Sequence, residues 1–448
     1  MKQTRLILVG GFLGAGKTTL LWETAVRLMN KGLRVGLITN DQAPELVDSE
    51  LLKLSDLRVA EVSGSCFCCN FNGFTDAIKE IRAEASADVI IAEPVGSCTD
   101  LSATIMQPLK QYWNTELKIS PLTVLADPNR LVSILNGGNG GVHPDAAYIY
   151  KKQLEESDII LLSKSDVLKR EETAVLRQRL SDAFPGATVL SASAQTGEGM
   201  DKWIEAVMSR QDAGKRLLEI DYDTYAHGEA VLGWLNGTLQ LHGVSDDWDD
   251  FLKTLMKGFA VKFDEAGCAV GHVKVIAENG KRFAVGNLTG KQDTLSLRGS
   301  AGAGEDLKLI INARVETTPE LLDQMVREVL IGMIDGKYEE EVVAWRFLQP
   351  GRPNPTHRFV EIVKYIDETY RYLEAGTFSF VPVLLFFCLL AGGKRDPAEW
   401  NQCKRIQRAD RATEEYAVHR GRERRIFPIE EQYVWYDDAC PHAESLGI

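Results

Sequence analysis

Gly11, Phe12, Leu13, Gly14, Ala15, Gly16, Lys17 and Thr18 spell GxxxxGKT, with Thr19 next, directly after an apolar run and directly before a helical stretch. The backbone N–H groups of such a loop and the N-terminus of the following helix can wrap a triphosphate, with Lys17 reaching the terminal phosphates and Thr18 a magnesium ion. A second cluster carries different chemistry: Cys66, Cys68 and Cys69 crowd into GSCFCCN. Thiolates are soft ligands suited to zinc or cuprous copper, and three on one short loop can hold an ion and leave a position open. Because no other Cys or His lies within fifteen residues on either side, an open, transfer-type site is expected. A redox pair is the rival reading, since Cys66 to Cys69 also contains CxxC.

Carboxylates and a base-reading turn follow at later strand ends. Glu93, in AEPVG after the run DVIIA, is placed to hold the magnesium shell, and Gly96 lets the backbone approach a γ-phosphate. Asn40 and Asp41 end RVGLIT; Asp41 is a further magnesium-region residue, and QAPELVD after it a switch segment. Ser163, Lys164, Ser165 and Asp166 resemble the guanine-reading NKxD signature, with serine in place of its asparagine. An aspartate there accepts from guanine N1 and the exocyclic amine, whereas adenine offers no matching pair. Ser193 and Ala194, in SASAQTGEG after the next strand, resemble the motif that contacts the guanine carbonyl, so GTP is expected over ATP.

These residues need a scaffold that gathers strand ends. From residue 1 to about 215 the chain alternates short apolar runs with helical stretches: LILVG, RVGLIT, LRVAEV, DVIIA, LTVLAD, DIILLS and ATVLSA. Runs that are apolar without alternation are buried on both faces, which predicts an α/β P-loop NTPase domain with a mostly parallel, doubly wound sheet. GGNGG at Gly137 to Gly141 reads as a surface excursion. From 222 to 330 consecutive strands lie between two helices, Trp248 to Phe263 and Pro319 to Leu330, which predicts a smaller α+β domain. Residues 331–448 read as a largely helical tail.

Composition narrows the partners. The 448 residues carry 51 basic and 64 acidic side chains, a net charge of −13, which argues against nucleic acid. The 44% hydrophobic and 26% charged fractions are those of a globular protein with no membrane partner. The apolar run Phe378 to Ala391 is broken by Ser379 and Pro382 and reads as core, and Lys404 to Arg425 reads as a solvated helix face. Eight cysteines are too few for a disulfide scaffold, so reduced thiols and a cytoplasmic location are expected. Cys98, Cys268, Cys388, Cys403 and Cys440 read as scattered core residues, the seven histidines as dispersed, and His272 as a strand residue.

GFLGAGKTT, CFCC, AEPVG and SKSD together resemble the CobW family of GTPases, relatives of the nickel-insertion GTPases of urease and hydrogenase maturation. HVKV and FAVGNLT extend the resemblance to about residue 330, while NDQAP stands where the family reads NEFGE, and the histidine-rich loop of many members is absent. The resemblance implies a slow GTPase acting as a metallochaperone. It would use GTP and magnesium at the P-loop, hold zinc, or else cobalt or nickel, at Cys66, Cys68 and Cys69, and deliver it to a client metalloprotein. It implies Gly14, Gly16, Lys17 and Thr18 for phosphate, Glu93 for magnesium, and Lys164 and Asp166 for the base. A nucleotide-locked metal or redox sensor and a P-loop small-molecule kinase are the alternatives, and a homo-oligomer is compatible with each.

Overall fold

The computed structural model describes residues 2–40, 57–62, 65–245, 247–280, 282–290 and 295–364. Asp41, QAPELVD, the apolar run from Phe378 and the arginine-rich stretch from Lys404 lie outside the described residues.

The first domain is a parallel sheet of β1 (Thr4–Gly11), β2 (Val35–Asn40), β3 (Arg58–Val62), β4 (Val89–Glu93), β5 (Leu117–Ile119), β6 (Thr123–Ala126), β7 (Ile159–Leu162) and β8 (Thr188–Ser191). The strands lie in the order β3-β2-β4-β1-β6-β7-β8, with β5 also pairing β1. In β1, Leu6 and Leu8 enter one core while Ile7 and Val9 enter another on the opposite face, so both faces need apolar side chains. Helices α1 (Lys17–Asn30), α2 (Phe71–Ala85), α3 (Gln107–Tyr112), α4 (Pro128–Leu135), α5 (Pro144–Glu156), α6 (Arg170–Ala183) and α7 (Met200–Ser209) connect the strands. Leu20, Leu21 and Ala25 of α1 and Trp203 of α7 cover one face; Phe74 and Ile78 of α2 and Ile149 of α5 cover the other. The chain runs outward from β1 in both directions, so the loops after β1, β4 and β6 part at their carboxyl ends and open a crevice.

Helix α8 (Tyr222–Ala230) leads into an antiparallel sheet of β9 (Leu232–Ser245), β10 (Val270–Asn279), β11 (Arg282–Leu288), β12 (Ser296–Ser300), β13 (Gly304–Glu316) and β14 (Glu339–Leu348), ordered β12-β11-β10-β13-β9-β14. Helices α9 (Trp248–Glu265) and α10 (Pro319–Ile334) cover one face. Period two places Val273, Val275, Leu309, Ile311 and Ala313 in that core and sends His272, Lys274, Asn312 and Arg314 to the opposite face.

The helical reading of residues 331–448 is corrected at β14, which pairs antiparallel with β9 and carries the sheet past residue 330. Its side chains are mostly exposed, so no buried alternation marked it; the pairing edge of β9 decides it. Residues 349–364 then run back over the first domain, where Thr356 N donates to Cys68 O at 2.8 Å and Phe359 N to Ala103 O at 3.1 Å. Among the described residues no helix is long and apolar enough to cross a membrane.

Candidate nucleotide site and metal centre

A cavity of about 390 Å³ lies over the P-loop. Gly14 and Gly16 hold φ of +73° and +93°, a region costly for a residue with a Cβ. Gly16 caps α1 without a side-chain hydrogen bond and the first turn holds no acid, so the helix N-terminus stays open to an anion. Lys17 Nζ donates to Gly11 O at 2.9 Å and Phe12 O at 3.3 Å and lies 3.7 Å from Glu93 Oε1. Thr18 Oγ1 donates to Glu93 Oε2 at 3.1 Å, so the hydroxyl and the carboxylate meet beside the ammonium. A Cβ on Gly96 would lie 3.0 Å from Lys17 Nζ and 2.9 Å from the Leu13 side chain, so a larger residue here would have to displace one of them. The donors present therefore suit a magnesium-bound polyphosphate.

Lys164, Asp166 and Ala194 line the same cavity. Lys164 Nζ is held by Asp127 Oδ2 at 2.5 Å, a buried carboxylate at the end of β6 that the sequence reading did not single out. Ser193 does not line the cavity; it is buried beneath, where its Oγ accepts from Thr196 N at 3.0 Å and shapes the turn. Thr19 and Ala15 line the P-loop side.

The remaining wall comes from the second domain: His272, Lys274, Asn287, Arg298, Asn312 and Arg314 line the same cavity. Arg298 Nη1 donates to Thr19 Oγ1 at 3.0 Å. Burial holds His272 down at about 3, so it is neutral and the positive charge is left to the lysine and arginines. These residues were legible only as polar positions alternating within apolar strands, as in HVKV and IINARV.

Cys66, Cys68 and Cys69 precede α2, and their sulfurs lie within 4.8 Å of one another. The Cys66–Cys68 and Cys68–Cys69 Sγ separations are 3.0 and 3.9 Å, compatible with three thiolates around one ion. Asn40, the last residue of β2, fixes this loop: its Nδ2 donates to Val62 O at 2.7 Å and Ser65 O at 2.8 Å, and its Oδ1 accepts from Phe67 N at 2.8 Å. Hydrogen bonds from Cys68, Cys69 and Cys98 hold the Cys66 thiol far below its usual range. The same sharing, reinforced by burial, pushes Cys68 and Cys98 up and Cys69 to about 11. Cys98 is a core residue, as its place in the sequence suggested, that lies close enough to influence these thiols. Asn354 N donates to Cys69 Sγ at 3.2 Å, so the segment after β14 covers the thiols from outside.

The family model for the CobW/HypB/UreG nucleotide-binding domain matches residues 5–191. The zinc chaperone CobW of Pseudomonas aeruginosa is 26% identical over 225 residues, 43% of this chain and 56% of that protein. The zinc-regulated GTPase metalloprotein activator 1 of Dictyostelium discoideum is 23% identical over 218 residues, 41% of this chain and 45% of that protein. The zinc chaperone YeiR of Escherichia coli is 24% identical over 179 residues, 39% and 51% of the two chains. The chain thus spans about half the length of the curated relatives it matches. Residues 5–191, which carry the P-loop, the thiol loop and SKSD, thus resemble the CobW/HypB/UreG nucleotide-binding domain.

Proposed function

We propose that this chain is a slow, GTP-hydrolysing metallochaperone that holds zinc at Cys66, Cys68 and Cys69 and hands it to a client metalloprotein. The observation that carries the reading is the double role of Asn40, which lines the cavity with Lys17, Thr18 and Glu93 and makes three hydrogen bonds to the stretch holding the thiols. The relatives, two zinc chaperones and a zinc-regulated GTPase, support zinc over cobalt or nickel.

In this reading the N–H groups from Gly14 to Thr19 take the phosphates, Lys17 neutralises their charge, and Asp166 accepts from the guanine edge while Lys164 packs on the ring. Thr18 and Glu93 would hold magnesium, which would supply positive charge beside the phosphates. The thiols give up their protons as zinc is taken. Ordering of the γ-phosphate contacts narrows the spread of the thiols through Asn40, and hydrolysis relaxes it.

Zinc affinity, measured by competition with a chromophoric chelator in magnesium with GDP or a non-hydrolysable GTP analogue, tests this. A coupling of ~1 to 3 kcal/mol makes zinc bind about 5 to 150-fold tighter in the GTP-like state, and the same factor must appear in nucleotide affinity when zinc is added. Cys68→Ser abolishes the effect. Equal affinities in both nucleotide states reject loading and release and leave a passive sensor.

A further inference from the structure

His143, Asp145 and His227 bring their ligand atoms within 4.8 Å of one another, outside the site described above. His143 caps the N-terminus of α5, Asp145 lies in its first turn, and His227 comes from the last turn of α8, which packs along α5. His227 Nδ1 is hydrogen-bonded to Asp145 Oδ2 across 82 residues of sequence, and His143 Nδ1 lies 3.8 Å from the same oxygen. The two imidazole rings meet edge to face with centroids 5.2 Å apart. The side chains of His143, Asp145 and His227 are 31%, 30% and 59% exposed, so an ion reaches them from solution.

We propose that these three residues form a second site for a zinc-class divalent ion, independent of the thiols. Two imidazoles and one carboxylate are a borderline donor set that suits zinc, cobalt or nickel, and the exposed side of the cluster leaves the fourth position to water. Metal bonds of about 2.0 to 2.2 Å require donors roughly 3.3 Å apart, so the observed spacing closes by side-chain rotation of about an ångström, chiefly at exposed His227. The bond displaced is the contact from Asp145 N to His143 Nδ1 at 3.2 Å. Pro144 at the first helical position keeps the α5 end of the cluster in place. Occupancy pins α8 to α5. The other side of α8 carries Tyr225, whose hydroxyl accepts from Thr99 N, and Glu229, which accepts from Ser97 Oγ, on either side of Cys98. The surface ion thereby braces the loop beside the thiol cluster.

The test uses full-length protein with Cys66, Cys68 and Cys69 all changed to serine, titrated with zinc against a chromophoric chelator. One zinc equivalent is expected to remain and to weaken about 100-fold in His143→Gln and His227→Gln, which keep side-chain polarity. No zinc in the serine background, or affinity untouched by both glutamine changes, overturns the proposal. Cobalt titration of the wild-type protein gives a check that does not depend on folding of the serine variant. The second equivalent should add visible d–d absorption without a sulfur charge-transfer band, and both histidine variants should lose it; a charge-transfer band on both equivalents assigns all metal to thiols and overturns the proposal. If the thiol reading fails instead, the charge-transfer band is missing while the histidine effects persist.

Discussion

The Phe67 backbone N–H donates to Asn40 Oδ1 at 2.8 Å, which ties the end of a strand at the nucleotide cavity to the centre of CFCC. Asn40→Ala removes this bond and the two donated by Nδ2. Zinc affinity is expected to become the same, within about twofold, with GDP and a GTP analogue, since the coupling of ~1 to 3 kcal/mol loses its connection. Asn40→Asp keeps the acceptor for Phe67 and should retain part of the coupling. Chelator competition on the two variants reads the difference.

Asp166 lines the same cavity as Thr18. Asp166→Asn is expected to move preference from GTP towards XTP, because xanthine offers an acceptor where guanine offers a donor. Competition binding with the two nucleotides measures it, and full retention of GTP affinity would show that Asp166 does not read the base.

Arg298 reaches from the second domain to Thr19. Arg298→Ala is expected to weaken nucleotide binding about fivefold, the ~1 kcal/mol of one such hydrogen bond, with a larger loss at low salt than at high salt. Calorimetric titration at two ionic strengths checks both parts.

Cys98 shares the hydrogen-bonding of the Cys66 and Cys68 thiols and follows Gly96 by two residues on the loop after Glu93. Cys98→Ser is expected to weaken zinc about tenfold while leaving the thiolate-to-cobalt absorption band of the three ligands unchanged. Loss of about a quarter of the band would instead make Cys98 a fourth ligand and reject its role beside the cluster.

Glu156 is buried, accepts from Thr99 Oγ1 and Ser102 N at 3.0 Å each, and burial raises its carboxyl from 4.5 to about 8. Its folded form therefore binds a proton that the unfolded form releases between about pH 4.5 and 8. Its stabilisation is complete below that window and is lost as pH rises through it, on the order of a few kcal/mol. Denaturant unfolding from pH 5 to 8.5 should show this fall in the wild type and a flatter profile in Glu156→Gln, which stays neutral throughout. Equal slopes would reject the assignment.

Elements whose signals are local were legible along the chain. Continuous apolar runs named the parallel strands because burial on both faces leaves no polar positions, and GxxxxGKT named the phosphate loop because its glycines and lysine are contiguous. SKSD and CFCC were legible for the same reason. What depended on chain folding back was not. The exposed edge strand β14 formed only because β9 offered it a partner. Period two revealed that His272, Lys274 and Arg314 share a face, yet only the packing of the sheet over the P-loop turned that face into a cavity wall. Asn40 and Phe67, Cys66 and Cys98, and His143 and His227 are far apart in sequence, and no local pattern pairs them. Their meeting is set by strand order and helix packing, which sum many weak contacts over the whole domain, so tertiary structure decided how the nucleotide site and the thiols are joined.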